Sequence, residues 1–115
     1  MVASQNYVPD QGDLVWLDFD PQAGHEQAGR RPALVLSPKS YNQATKLILC
    51  CPVTSRVKGY PFEVVILGSP KISGVVLSDQ IRSLDWVARN AQFIDRVQTS
   101  VLSEVAMKQK LLLPK

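Results

Sequence analysis

The first regular pattern in the chain is one that only an extended backbone can use. In Asp13-Leu-Val-Trp-Leu-Asp-Phe19, Leu14, Trp16 and Asp18 share one face and Val15, Leu17 and Phe19 the other. This predicts a strand after a Pro9-Asp-Gln-Gly12 turn. Further apolar runs bounded by glycine, proline and polar residues predict strands at Ala33–Ser37, Leu47–Val53, Phe62–Leu67, Gly74–Leu77 and Ile81–Leu84. Lys39–Thr45 predicts a short helical turn that Ser37 or Ser40 can cap. The period then changes. Between Thr99 and Leu113, Val101, Leu102, Val105, Ala106 and Leu112 recur at three- and four-residue spacing after a Ser/Thr cap with Glu104 nearby, which predicts an amphipathic helix. Short strands, Gly/Pro turns and a terminal helix predict a mainly β fold, a small and strongly bent antiparallel barrel or sandwich.

One segment fits neither period. Asp20–Pro32 holds two glycines and two prolines among polar side chains, a composition that helix and strand both use badly. It predicts an exposed loop of about a dozen residues, a length more often functional than incidental in a small domain.

Length and composition narrow the class. The 115 residues predict one domain, spanning 1–115, which argues against most two-domain cofactor-binding enzymes. The longest unbroken apolar run, Leu47–Cys51, falls far short of the roughly 20 residues a bilayer requires. Met1–Asn6 has neither a basic start nor an apolar core, so a cytoplasmic location is expected. The two cysteines, Cys50 and Cys51, are neighbours on a predicted strand and point to opposite faces, which disfavours a disulfide. With a single histidine, His25, and no metal-ligand spacing, no metal and no cofactor are expected. Net charge is only +3, but it is polarised: residues 1–29 carry five acids and no Lys or Arg, whereas all thirteen bases lie in 30–115 against five acids. That distribution suits a polyanion-binding face beside an acidic element.

Within the loop, Gly24-His-Glu-Gln-Ala-Gly-Arg-Arg-Pro32 concentrates an imidazole, a carboxylate, an amide and two guanidinium groups. An arginine can hold a phosphate and stabilise a growing oxyanion, while Glu or His can move a proton. The plainer alternative is a solvated loop whose charges pair with one another.

Tyr7-Val-Pro-Asp-Gln-Gly-Asp-Leu-Val-Trp-Leu-Asp-Phe-Asp-Pro21, the Gly24–Pro38 segment, Tyr41-Asn42, Lys58-Gly-Tyr-Pro-Phe-Glu-Val-Val65 and Asp79-Gln80 together resemble the MazF/PemK family of toxin endoribonucleases. The resemblance runs from about Tyr7 to Arg89 and fades over the terminal helix. It implies an SH3-like barrel of five to seven strands with a C-terminal helix, shared with the gyrase poison CcdB. It also implies a homodimer that cleaves single-stranded RNA without metal, using the RNA 2′-hydroxyl as nucleophile and leaving a 2′,3′-cyclic phosphate and a 5′-hydroxyl. The implied protein partner is a MazE-like antitoxin whose acidic C-terminal segment occupies the RNA site. Operator DNA is met only through that antitoxin, and no membrane is involved.

Carried onto this chain, the family positions are Glu26, Arg31 and Thr54, the last in Pro52-Val-Thr54. Arg31 and Thr54 are expected to hold the scissile phosphate. Because Arg31 does not readily give up a proton, Glu26 is the candidate base for the 2′-hydroxyl and His25 the runner-up. His25, Gln27, Arg30, Arg56, Lys58, Asp79 and Gln80 are expected RNA contacts. Asp79 and Gln80 have the alternative of a turn former and a buried hydrogen-bonding amide. The related toxin Kid uses an arginine two residues before its Asp-Gln pair, where this chain has Leu77, so a Kid-type site is not expected. Trp16 is read as core rather than as a base-stacking platform, Lys58 and Arg56 as part of a mobile phosphate-contacting arm or a solvated hairpin connection, Arg82 and Arg89 as structural or peripheral, and Lys108, Lys110 and Lys115 as solvated. Two rival functions remain at this point: a non-enzymatic CcdB-like gyrase binder and a nucleic-acid-binding autoregulatory homologue.

Overall fold

Strand β1 (Asp13–Asp18) is buried on both faces, as its alternation predicts, and the rest of the fold is arranged around it. The structure is a computed structural model and describes residues 6–19 and 29–114. After β1 come β2 (Arg30–Val35), α1 (Lys39–Thr45), β3 (Leu47–Thr54), β4 (Glu63–Val65), β5 (Val75–Leu77), β6 (Arg82–Asp85), β7 (Gln92–Arg96) and α2 (Thr99–Lys110). The strands form a seven-stranded antiparallel sheet in the order β4-β5-β3-β2-β1-β7, with β6 also paired to β3.

β3 is what bends the sheet. One of its edges is held by β2 through Ala33↔Pro52 and Val35↔Cys50. Its other edge changes partner: Leu47–Cys50 pair with β6, whereas Val53 and Thr54 pair with β5. Pro52, which has no N–H to donate, falls between the two pairings. The far ends of the sheet then approach each other. The Ser69 hydroxyl donates to Asp95 Oδ2 at 2.9 Å, and the Gln98 N–H reaches the Leu67 carbonyl.

Two apolar cores lie on opposite sides of β1 and β3. Leu14, Leu34, Cys51, Val64, Val76 and Ile94 pack with Val101 and Val105 of α2. Val15, Leu17, Ala33, Val35, Ile48, Cys50 and Leu84 form the other. Complete burial of such side chains stabilises by about 1.5–3 kcal/mol each. The two cysteines are thus separated by the sheet itself, and burial pushes each thiol up to about 12.

Three expectations need correction. A seventh strand, β7, was not among the strands read from the residues: its two apolar residues, Phe93 and Ile94, are adjacent and only Ile94 is buried, so no alternation marks it. β2 begins at Arg30 rather than Ala33, because Asp18↔Arg30 to Leu14↔Leu34 form one continuous ladder with β1. Neither helix carries a side-chain cap; Pro38 and Gln98 occupy the cap positions. Ser37 is engaged elsewhere, donating to Asn42 Oδ1 at 2.6 Å while accepting the Leu49 N–H. Asn42 is fully buried, and its amide nitrogen donates to the carbonyls of Pro9 and Ser37, so this one side chain ties the segment before β1 to α1 and β3.

Candidate functional site

Arg31 sits near the start of β2 and Thr54 at the end of β3. The β2–β3 register pairs Ala33 with Pro52, and extending it by two residues brings Arg31 level with Thr54. Both line a surface cleft of about 620 Å³, together with Trp16, Pro32, Val53, Ser55, Arg56, Lys71, Ile72 and Ser73. Arg31, Arg56 and Lys71 give it three cations, and no carboxylate is among its described lining residues. The hydroxyl of Thr54 accepts the Arg56 N–H at 3.1 Å, which leaves its proton free to donate outward. This is a cleft built to receive an anion, with a half-buried indole as one wall.

Gly74 holds the last wall in place. It has φ +125°, and a Cβ added there would lie 2.2 Å from the Thr54 carbonyl oxygen, so the β4–β5 connection can press directly on the backbone of the site.

His25, Glu26 and Gln27 lie outside the described residues, but both ends of their loop are described. The Phe19 N–H donates to the Gly29 carbonyl, drawing the two ends together. Arg30 pairs with Asp18 at 2.9 Å and also donates to the Asn90 carbonyl and to Gln92 Oε1. Arg89 donates to the carbonyls of Asp18 and Phe19. The Asn90 amide, followed by Arg30, holds the Asp18 carboxyl below its ordinary range. Arg30, expected to touch RNA, is therefore engaged in this neck, and Arg89 is structural as expected.

The remaining expected contacts divide. Arg56 joins Arg31 and Thr54 in the cleft, whereas Lys58, Asp79 and Gln80 do not line it. Hydrogen bonds anchor the 55–62 loop at several points. Glu63 accepts the Lys58 and Gly59 N–H groups, the Tyr60 hydroxyl donates to Asp79 Oδ2 at 2.8 Å, and Lys108 reaches the Pro61 carbonyl. Asp79 supports the loop in this way, and its bond raises the Tyr60 hydroxyl above the ordinary tyrosine range. Lys108, read as solvated, acts as a strut. Gln80 is exposed, and its N–H closes a turn onto the Leu77 carbonyl. Trp16, read as core, both packs against the α2-side core and lines the cleft. Lys71 and Ser73 were missed, because nothing local in Ser69-Pro-Lys-Ile-Ser-Gly74 signals proximity to Thr54.

A mainly β sheet with a cation-lined groove across the ends of β2 and β3 defines a small β protein suited to a polyanionic chain. Residues 10–113 match the family described as PemK-like, MazF-like toxin of type II toxin-antitoxin system. The chain is 50% identical over 107 residues to the endoribonuclease toxin MazF of Escherichia coli K12, covering 93% of this chain and 96% of that protein. It is 36% identical over 101 residues to Escherichia coli endoribonuclease PemK, covering 84% and 75% respectively. Its fold matches the crystal structure of MazF from Deinococcus radiodurans with a TM-score of 0.84 at 59% identity, covering 93% of this chain and 97% of that one. It also matches a MazE-MazF structure from that organism with a TM-score of 0.82 at 52% identity, covering 93% and 96%. The chain belongs to the PemK-like, MazF-like toxins of type II toxin-antitoxin systems.

Proposed function

We propose that this toxin is an endoribonuclease that cuts single-stranded RNA in the Arg31–Thr54 cleft, without a metal, by attack of the RNA's own 2′-hydroxyl. The observation that carries the reading is the convergence of Arg31, Thr54 and Arg56 in one cleft free of described carboxylates. The guanidinium of Arg31 and the hydroxyl of Thr54 hold the scissile phosphate and oppose the charge that grows on its oxygens. The 2′-oxygen bonds to phosphorus while its proton passes to the Glu26 carboxylate. The bond to the 5′-oxygen breaks, and that oxygen takes up a proton. A 2′,3′-cyclic phosphate and a 5′-hydroxyl remain. A guanidinium carries donors only and no acceptor, so the base is another group, and the 20–28 sequence supplies Glu26 with His25 next to it.

The active unit is a homodimer, and apolar side chains left exposed in the single chain, among them Val65, Leu67 and Leu111, are available to bury. A MazE-like antitoxin inhibits it by laying an acidic segment over the same cations; the MazE-MazF structure from Deinococcus supports a partner of that kind. DNA is reached only through that antitoxin, and the toxin acts in the cytoplasm, where mRNA lies.

The test is purified protein on a long single-stranded RNA in EDTA, with the cut positions sequenced and the end groups determined. Cuts at a short recurring sequence with cyclic phosphate and 5′-hydroxyl ends are expected. Activity restored only by magnesium or manganese, or 3′-hydroxyl and 5′-phosphate ends, overturns the mechanism. Intact RNA with a gyrase complex formed instead overturns the function.

A further inference from the structure

We propose that Lys71, on the connection between β4 and β5, is a binding residue for a phosphate neighbouring the scissile one, and so sets how the RNA strand runs through the cleft. The inference rests on the reading of this cleft as the RNA-cleaving site.

Three observations support it. Lys71 lines the same cleft as Arg31, Thr54 and Arg56. Its backbone is fixed at both ends of the connection: the Ser69 hydroxyl oxygen accepts the N–H groups of Lys71 and Ile72 and donates to Asp95 of β7, and Gly74 sits against the Thr54 backbone. Its ammonium is lightly held: it donates to the Ile94 carbonyl at a long 3.4 Å and lies near enough to Asp95 to help lower that carboxyl, but among the described residues it forms no ion pair, so a phosphate can draw it away. Asp95, the nearby carboxylate, is occupied by the Arg96 N–H and the Ser69 hydroxyl.

A lysine is a compact point charge on a flexible stem, suited to a phosphate that must be attracted rather than gripped in one geometry. Arginine and threonine at the reacting centre hold the scissile group by directional bonds. Lys71 lines the cleft from a different connection than Arg31 and Thr54, so a strand running along the groove can present it with a second phosphate. Neutralising one phosphate of a single strand also releases counterions, which gives the contact a salt signature.

The experiment compares wild type, Lys71→Ala, Lys71→Arg and Arg31→Ala. It uses an RNA oligonucleotide that spans a cut site mapped with this protein and carries a 2′-deoxy sugar at the cut. Binding is measured over a salt series, and cleavage of the all-ribose form at several RNA concentrations. Lys71→Ala is expected to bind on the order of three- to tenfold more weakly, with the slope of log affinity against log salt shallower by about 0.7. The cleavage defect should fall on KM more than on kcat. Lys71→Arg should restore affinity and slope. Methylphosphonate substitution of single phosphates should reveal one position, other than the scissile one, that weakens wild type but not Lys71→Ala. Unchanged affinity and slope in Lys71→Ala, or a map that points to the scissile phosphate, overturns the proposal. Wild-type cleavage by Arg31→Ala overturns the reading of the cleft itself, whereas a dead Arg31→Ala beside an unaffected Lys71→Ala overturns only the role of Lys71.

Discussion

Gly74 packs so tightly on Thr54 that one added carbon would stand 2.2 Å from the Thr54 carbonyl oxygen. The residue that backs Thr54, the proposed phosphate-binding threonine, is therefore one with no side chain. Gly74→Ala also forces a side chain onto φ +125°. The substitution is expected to destabilise by about 2 kcal/mol or more and to slow cleavage, because Thr54 must move to relieve the overlap. Thermal melting and single-turnover cleavage measure the two effects together.

The proposed division of labour between the cleft residues and the Glu26 carboxylate predicts separable defects. Arg31→Ala should lower the single-turnover rate on the order of a hundredfold and weaken RNA binding as well. Glu26→Gln should be slow with binding unchanged or slightly tighter, since a base is lost without loss of positive charge. Thr54→Ala should be intermediate and His25→Ala nearly silent. Rates and binding to the 2′-deoxy RNA across a pH series check this, and a dead His25→Ala beside a normal Glu26→Gln transfers the base role to the imidazole.

Asn42 is the polar hub of the fold. Asn42→Leu keeps the bulk but strands the carbonyls of Pro9 and Ser37 and leaves the Ser37 hydroxyl without its acceptor. Each such group costs about 1–3 kcal/mol, so a loss near 3 kcal/mol is expected. For a domain of this size that lowers the melting temperature by more than about 10 °C. Calorimetry measures it directly.

Acid should weaken the neck of the 20–28 loop. The Asn90 amide, then Arg30, holds the Asp18 carboxyl below its ordinary 3.8, so the folded state binds this proton less tightly than the unfolded chain. The stability it contributes is fully present above pH 3.8 and is lost as pH falls through the lower folded value. The pair is part-exposed, so the effect should stay within about 1 kcal/mol. Melting wild type and Asp18→Asn from pH 7 down to pH 3 should show a difference that shrinks only at the acid end.

Several elements were legible in the residues because their signals are local. β1 alternates over its whole length, α1 and most of β3 lie where turn residues bound them, and α2 repeats at helical spacing. The family resemblance pointed to Arg31 and Thr54, which the structure brings into one cleft. β7 was not legible, since four of its five residues are not buried and it is a strand only because β1 offers it an edge. α2 ends at Lys110, short of the expected Leu113, and the three leucines after it are exposed.

The sequence by itself determined the class of fold, the family and the residue types available for chemistry. Tertiary structure decided which of them meet. Arg30 and Arg31 are adjacent in sequence, yet one is engaged by Asp18 in the neck and the other lines the cleft. Lys71 is seventeen positions beyond Thr54 along the chain, yet lines the same cleft because β5 returns beside β3. Trp16 reads as core from its neighbours, but only the arrangement of β1, β2 and β3 shows that it also reaches the cleft. Alternation and spacing report which way a side chain points from its own strand; what it faces depends on strand order and register, which are fixed by contacts between residues far apart in the chain.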